Sequence, residues 1–176
     1  SRVDFIEILQ YADNRNIRII PQISYPSHMR SAIISMDVRY QKYMELGNQE
    51  EAEKYLLSDP DDESEYYSAQ GFDDNIACIC RESAFTFYEK VIDEIYLMYQ
   101  EAGVEMDNFG VAADELPYGA WQKSPICNKF MEDNSIVGDY NTLYEIMQTR
   151  VYNKLSSYNA TMTGWDDILL KLTEKN

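Results

Sequence analysis

Asn108-Phe109-Gly110-Val111-Ala112-Ala113-Asp114-Glu115-Leu116-Pro117 is the stretch that decides how this chain reads. Its small and apolar residues, up to Ala113, have the make-up of a buried strand. Two acids follow at once, then Pro117 and the loop Tyr118-Gly119-Ala120-Trp121. That order sets a pair of carboxylates where a buried sheet meets solvent. In parallel α/β folds, ligands bind at that edge, outside the carboxyl ends of the strands. A plainer use for two acids is to cap the next helix, where negative charge complements the helix dipole. Spacing alone leaves both readings open.

Upstream of the acid pair, residues 82–100 carry the strongest helical pattern, with Phe85, Tyr88, Val91, Ile92, Ile95, Met98 and Tyr99 on one apolar side and Gly103 as a stop. At the start of the chain Ser1 and Asp4 have the spacing of a helix cap, and Phe5, Ile8, Leu9 and Ala12 recur at helical period. Ile17-Arg18-Ile19-Ile20 is β-branched and short, which predicts a strand, with Pro21 at its exit. Further helices are predicted over 32–46, 50–57, 128–133 and 140–158, a last strand over 160–165, and another helix from Asp166 towards Lys175. The acidic run 58–63 reads as a solvated turn, and 66–79 as a long loop over the carboxyl edge of the sheet. Helices alternate with strands, which predicts an α/β fold with parallel strands.

The chain has 176 residues, 45% of them apolar, enough for one domain with a core. Acids outnumber bases by 31 to 15, for a formal charge of -16. Such a surface excludes nucleic acid and anionic membranes as partners. No apolar run approaches the ~20 residues of a membrane span, and no basic-then-apolar leader opens the chain. Helical periodicity begins almost at once and there is no initiator Met, so an excised piece of a longer protein is expected. Cys78, Cys80 and Cys127 are expected to be buried free thiols. They lack the paired spacings of a zinc site, and the only histidine, His28, is far off in sequence. No metal site is expected.

Three segments share a family pattern. Residues 111–127, Val-Ala-Ala-Asp-Glu-Leu-Pro-Tyr-Gly-Ala-Trp-Gln-Lys-Ser-Pro-Ile-Cys, resemble the His-x-Gly-Gly-Asp-Glu acid-pair segment of glycoside hydrolase family 20, the β-N-acetylhexosaminidases. Ile19-Ile20-Pro21-Gln22-Ile23-Ser24-Tyr25-Pro26-Ser27-His28 is similar to that family's Pro-Glu-Ile-Asp-x-Pro-Gly-His strand and loop. Thr163-Gly164-Trp165-Asp166-Asp167-Ile168 is similar to its Gly-Trp-acid-acid segment. The three occur in family order and cover nearly the whole chain.

The resemblance implies a partial TIM (β/α)8 barrel holding about three parallel strands. Residues 1–176 would be a single fragment of the catalytic domain, running from the helix after strand 2 to strand 5. It implies an exo-glycosidase that removes terminal β-linked N-acetylglucosamine or N-acetylgalactosamine by substrate-assisted, retaining hydrolysis. Glu115 would be the acid and base, and Asp114 would orient the 2-acetamido group. His28, Trp165 and, more weakly, Trp121 would line the substrate site; packing beneath the loop is the other reading of Trp121. No cofactor is required, the partners would be amino-sugar glycans, and the parent would be exported. An incomplete parallel sheet has open edges, so self-association of the isolated fragment is expected, with little activity of its own.

Several positions depart from the family pattern: Gln22 stands for Glu, Ser24 for Asp, Ser27 for Gly, Gly110 for His and Ala112-Ala113 for Gly-Gly. The alanine methyls would crowd a backbone that approaches the sugar. These changes support an alternative, a degenerate member that binds amino-sugar glycans without cleaving them.

Overall fold

The structure, a computed structural model, describes residues 1–137 and 140–169. Helix α1 (Arg2–Asp13) opens with the cap its sequence announces: Ser1 Oγ accepts from Asp4 N and the Asp4 carboxylate accepts from the Ser1 amine. Helix α2 spans Arg30–Glu45, and a short α3 spans Gln49–Glu53. The long α4, Glu82–Ala102, buries Phe85, Tyr88, Ile92, Ile95 and Tyr99 along one side and ends at Gly103 with φ 72°, a left-handed cap that glycine adopts without strain. Strand β1 is Asn108–Ala112, followed by α5 (Pro125–Asp133), α6 (Tyr140–Ser156) and strand β2 (Thr161–Gly164). A 3-10 turn, Asp166–Leu169, follows β2; the helix expected to run on to Lys175 lies otherwise outside the described residues.

β1 and β2 pair in parallel, Asn108 opposite Thr161 and Gly110 opposite Thr163, with a bulge between Gly110 and Ala112. The strand expected at 17–20 does not form. What remains of it is an isolated parallel bridge, Gln22 with Gly110. Gly110 N donates to Pro21 O at 2.8 Å, Ile23 N to Gly110 O at 3.0 Å and Tyr25 N to Val111 O at 3.2 Å. Pairing thus begins at Pro21, past the β-branched run, whose Ile17 and Ile20 are about half exposed. The described sheet therefore has two strands and a bridged segment, where three strands were expected.

That segment is held from its other side by α4. Tyr88 and Tyr99, about three turns apart and hence on one helix face, donate their hydroxyls to Ile23 O at 2.7 Å and Ile19 O at 2.8 Å. Two backbone carbonyls of an unpaired edge are thereby satisfied by side chains. Tyr88 also stacks on Tyr25, with ring centroids 4.3 Å apart. Phe109 and Val111 of β1 are buried in the same core. The helices α1 and α6 pack on α4. Among the described residues no helix is long and apolar enough to cross a membrane.

The loops hold two corrections. Cys80 and Cys127 form a disulfide, with Cα atoms 5.1 Å apart, and only Cys78 is free. Cys78 and Cys80 lie in a loop, and both come close to Cys127: the Cys78 sulfur is 3.8 Å from that of Cys127. Nor is the acidic run 58–63 wholly solvated. Asp59 is nearly buried and accepts from Ser124 Oγ at 2.6 Å and Ile126 N at 3.3 Å, so it caps α5 alongside Ser124.

The loop after the acid pair rests on the 58–81 loop. A Cβ at Gly119, whose φ is 101°, would lie 2.5 Å from Glu65 O. Gly119→Ala in the full-length protein is expected to cost at least about 2 kcal/mol, from the clash and the positive φ together; an unchanged melting temperature would show that the two loops do not meet. Burial pushes the Cys78 thiol up to about 11, so little thiolate exists at pH 8. Alkylation of the folded protein at that pH is expected to leave Cys78 unlabelled, with labelling appearing only after denaturation.

Candidate functional site

β1 does not end as a regular strand. The bulge after Gly110 is followed by left-handed backbone at Ala112 (φ 55°), Ala113 (φ 62°) and Glu115 (φ 53°). In a regular strand, neighbouring side chains point to opposite faces, and adjacent acids would face apart. Bulges and left-handed residues re-aim side chains at strand ends. Here Asp114 Oδ2 lies 3.6 Å and Glu115 Oε2 3.5 Å from one atom, His28 Nε2. Each left-handed alanine costs of order 1 kcal/mol, where glycine would adopt the same backbone freely. Ala112 and Ala113 are buried, at 1% and 2% exposure, so their methyls are covered by protein. The physical need at these two positions is backbone handedness, not the room for a sugar that the sequence suggested.

The surroundings fix this corner from several sides. His28, itself left-handed at φ 58°, sits on a loop whose preceding residue, Ser27, is fully buried and donates its hydroxyl to Asp114 O at 2.6 Å. Tyr144 of α6 donates to Ala113 O, and burial raises the pKa of its phenol, which keeps that hydroxyl a donor. Asp167 Oδ2 accepts from Glu115 N at 3.1 Å, and Trp165 N donates to Ala112 O at 3.0 Å. Gln70, from the 58–81 loop, donates its side-chain amide to Glu115 Oε2.

Asp114 is the more sheltered acid, with its side chain 23% exposed against 41% for Glu115. Its Oδ1 is buried without a hydrogen-bond partner among the described residues. Buried acceptors are usually paired.

Of the residues singled out from sequence, His28, Asp114 and Glu115 converge on one point. Trp165 is 56% exposed just past β2, joined to β1 through its backbone. Trp121 is 2% exposed and donates its indole N–H to Ala77 O at 2.9 Å, so of its two readings the structure has it packed beneath the loop. Ser27, Gln70, Tyr144 and Asp167 were not singled out. Asp167 stood inside a quoted segment; Ser27 showed only as a departure; the long-range contacts of Gln70 and Tyr144 have no local signal.

The altered Gln22 and Gly110 are neighbours. A Cβ at Gly110 would lie 3.0 Å from Gln22 Cγ, so the Gln22 side chain covers the space beside that backbone. His28, Asp114 and Glu115 also bring one ligand atom each within 4.8 Å of one another, the only such trio of potential metal ligands among the described residues.

An α/β chain that gathers a histidine and two carboxylates at the ends of parallel strands has the make-up of an enzyme's catalytic domain. Comparison with known proteins gives the family. The model of "Glycosyl hydrolase family 20, catalytic domain" matches residues 1–176. A beta-hexosaminidase of Vibrio vulnificus is 40% identical over 168 residues, 95% of this chain and 20% of that protein. An N,N'-diacetylchitobiase of Vibrio harveyi is 42% identical over 120 residues, 65% of this chain and 13% of that protein. The crystal structure of the family 20 exo-β-N-acetylglucosaminidase of Vibrio harveyi in complex with N-acetylglucosamine superposes with a TM-score of 0.77, at 28% identity, over 94% of this chain and 22% of that one. The chain belongs to glycoside hydrolase family 20. It spans about a fifth of the length of the V. vulnificus relative.

Tyr144→Phe leaves the Ala113 carbonyl without its donor under the acid pair. The expected cost in the full-length protein is about 1–2 kcal/mol, read by denaturant titration. An unchanged midpoint would show that this hydroxyl does not brace the strand end.

Proposed function

We propose that this chain is the central part of a (β/α)8 catalytic domain, and that the whole protein removes terminal β-linked N-acetylhexosamine residues from glycans. The observation that carries the reading is the convergence of Asp114 and Glu115 on His28 at the end of a buried parallel strand. Family membership and the relatives named for β-hexosaminidase activity support it. The bridged segment 21–25, β1 and β2 would be consecutive staves of the barrel, and their free edges would pair with strands supplied by the rest of the protein.

The proposed chemistry is substrate-assisted. Most glycosidases set two carboxyls across the scissile bond, several ångströms apart, whereas in this family the substrate supplies its own nucleophile. The 2-acetamido oxygen attacks the anomeric carbon as the bond to the leaving oxygen breaks, and the Glu115 carboxyl passes its proton to that oxygen. Glu115, now ionised, takes a proton from the water that opens the resulting oxazolinium ring, so the anomeric configuration is retained. Asp114 receives the acetamido N–H and faces the positive charge that grows on its nitrogen; its Oδ2, which lies beside His28 at the site, is the oxygen placed for that role. The two acids have separate tasks on one side of the sugar, which is why adjacent residues suffice. His28 sits against both carboxylates and holds them in register. The exposed Trp165 supplies an apolar face for the acetamido methyl or the pyranose.

The test uses the full-length protein and an aryl β-N-acetylglucosaminide. Glu115→Gln is expected to lower kcat by at least about a thousandfold, and the matching aryl β-glucoside, which lacks the acetamido group, to be inert. No turnover by folded wild-type protein that still binds the sugar would move the reading to a non-cleaving glycan binder, the role that Ser24 and Gly110 favour. Turnover that survives Glu115→Gln would remove Glu115 from the mechanism.

A further inference from the structure

The acid pair is approached from above by a loop that the family pattern in the sequence did not include. Gln70 reaches it from 45 residues away and donates its side-chain amide to Glu115 Oε2. It does so from the tip of a closed turn. Ser68 N donates to Phe72 O and Gly71 N to Ser68 O, both at 2.8 Å, and Phe72 N donates to Ser68 Oγ at 3.1 Å. Ser68 is buried and anchors the turn, while Gly71, at φ 78°, supplies the left-handed residue that closes it. The base of the loop is fixed as well. Ile76 N donates to the Tyr66 hydroxyl at 3.3 Å, Met29 N to Asn75 O at 3.0 Å, and Ala77 N to Pro26 O at 2.9 Å. Arg30 pairs with Asp74 at 2.7 Å and lies over the Phe72 ring. The amide of Gln70 is therefore presented by a built turn, although the residue itself is exposed.

The geometry points to Gln70 as a positioning residue for the general acid, a role that rests on the acid–base reading of Glu115. The same oxygen, Oε2, faces both Gln70 and His28, which leaves Oε1 as the oxygen free to meet the glycosidic bond. When the bond to the leaving group breaks, the proton on Oε1 moves to the departing oxygen and negative charge develops over the carboxylate. A neutral N–H donor on Oε2 receives that charge and gains strength as it grows, since hydrogen bonds to ionised acceptors are roughly twice as strong as neutral ones. Gln70 thus acts more on the transition state than on the bound substrate. It also fixes the carboxyl's rotation, so that Oε1 stays aimed.

The consequence is selective. A leaving group that departs as a stable anion needs little protonation, so it should be indifferent to Gln70; a sugar or alkyl alcohol should depend on it. The experiment compares wild type, Gln70→Ala and the near-isosteric Gln70→Met in the full-length protein, on a 2,4-dinitrophenyl β-N-acetylglucosaminide and on the methyl glycoside or N,N'-diacetylchitobiose. The expected result is a kcat loss of about ten- to a hundredfold on the poor leaving groups, little change in KM, and wild-type kcat/KM, which reports departure of the leaving group, on the dinitrophenyl substrate. Equal losses on both classes, or no loss on either, would overturn the role. The Met variant keeps the loop filled if the Ala variant loosens it, and melting temperatures identify such loosening. Wild-type activity that dies in Glu115→Gln alongside an indifferent Gln70→Met would remove this inference only. Activity that survives Glu115→Gln would remove the acid–base reading beneath it.

Discussion

The handedness of the backbone at the end of β1 is the constraint on which the site depends. A pleated strand sends neighbouring side chains to opposite faces. Asp114 and Glu115 are neighbours, yet both reach His28 Nε2. The bulge and the left-handed residues at 112, 113 and 115 make this geometry available. That backbone is held by bonds from separate elements: Ser27 on Asp114, Tyr144 on Ala113, Asp167 on Glu115 and Trp165 on Ala112. Backbone in a sparsely populated region persists when its surroundings over-determine it, and here α6, the His28 loop and the segment after β2 all do so.

The replaced residues take on a different look against this frame. Ser27, in place of glycine, adds a hydroxyl that ties the histidine loop to the acid pair. Gly110 and Gln22 changed as contacting neighbours, and the longer side chain covers the shorter one's backbone. Ala112 and Ala113 keep the backbone a glycine pair would have adopted, at a cost in conformational energy and with two more methyls in the core. The departures at Ser27, Gln22 and Gly110 are thus matched by contacts within this chain.

Much of this was legible in the sequence because it is local. The Ser1–Asp4 cap, the apolar side of α4, its Gly103 stop and the strand ending in two acids are written in neighbouring residues. What escaped was non-local. Ile17 to Ile20 have strand composition, but a strand also needs a partner, and β1 pairs further along, from Pro21 onward. The pairing of Cys80 with Cys127, rather than Cys78, depends on loop paths that three cysteines at odd spacing do not specify. Trp121, six residues past Glu115, had two places open to it from sequence and turns inward to a carbonyl of the 58–81 loop. Asp59 looked like one acid in a charge run and is the cap of a helix about 65 residues on.

The disulfide has a topological consequence. Cys80 and Cys127 enclose α4, β1 and the acid pair in one covalent ring. A single proteolytic cut within that ring leaves the polypeptide in one piece, with Asp114 and Glu115 still tethered to the chain through the uncut arm. Such a cut would be invisible by mass on a non-reducing gel and would separate the two halves only after reduction. The ring therefore makes the part of the chain that bears the acids tolerant of one break in its own connections, a tolerance that the His28 loop and the segment after β2, both outside it, do not share.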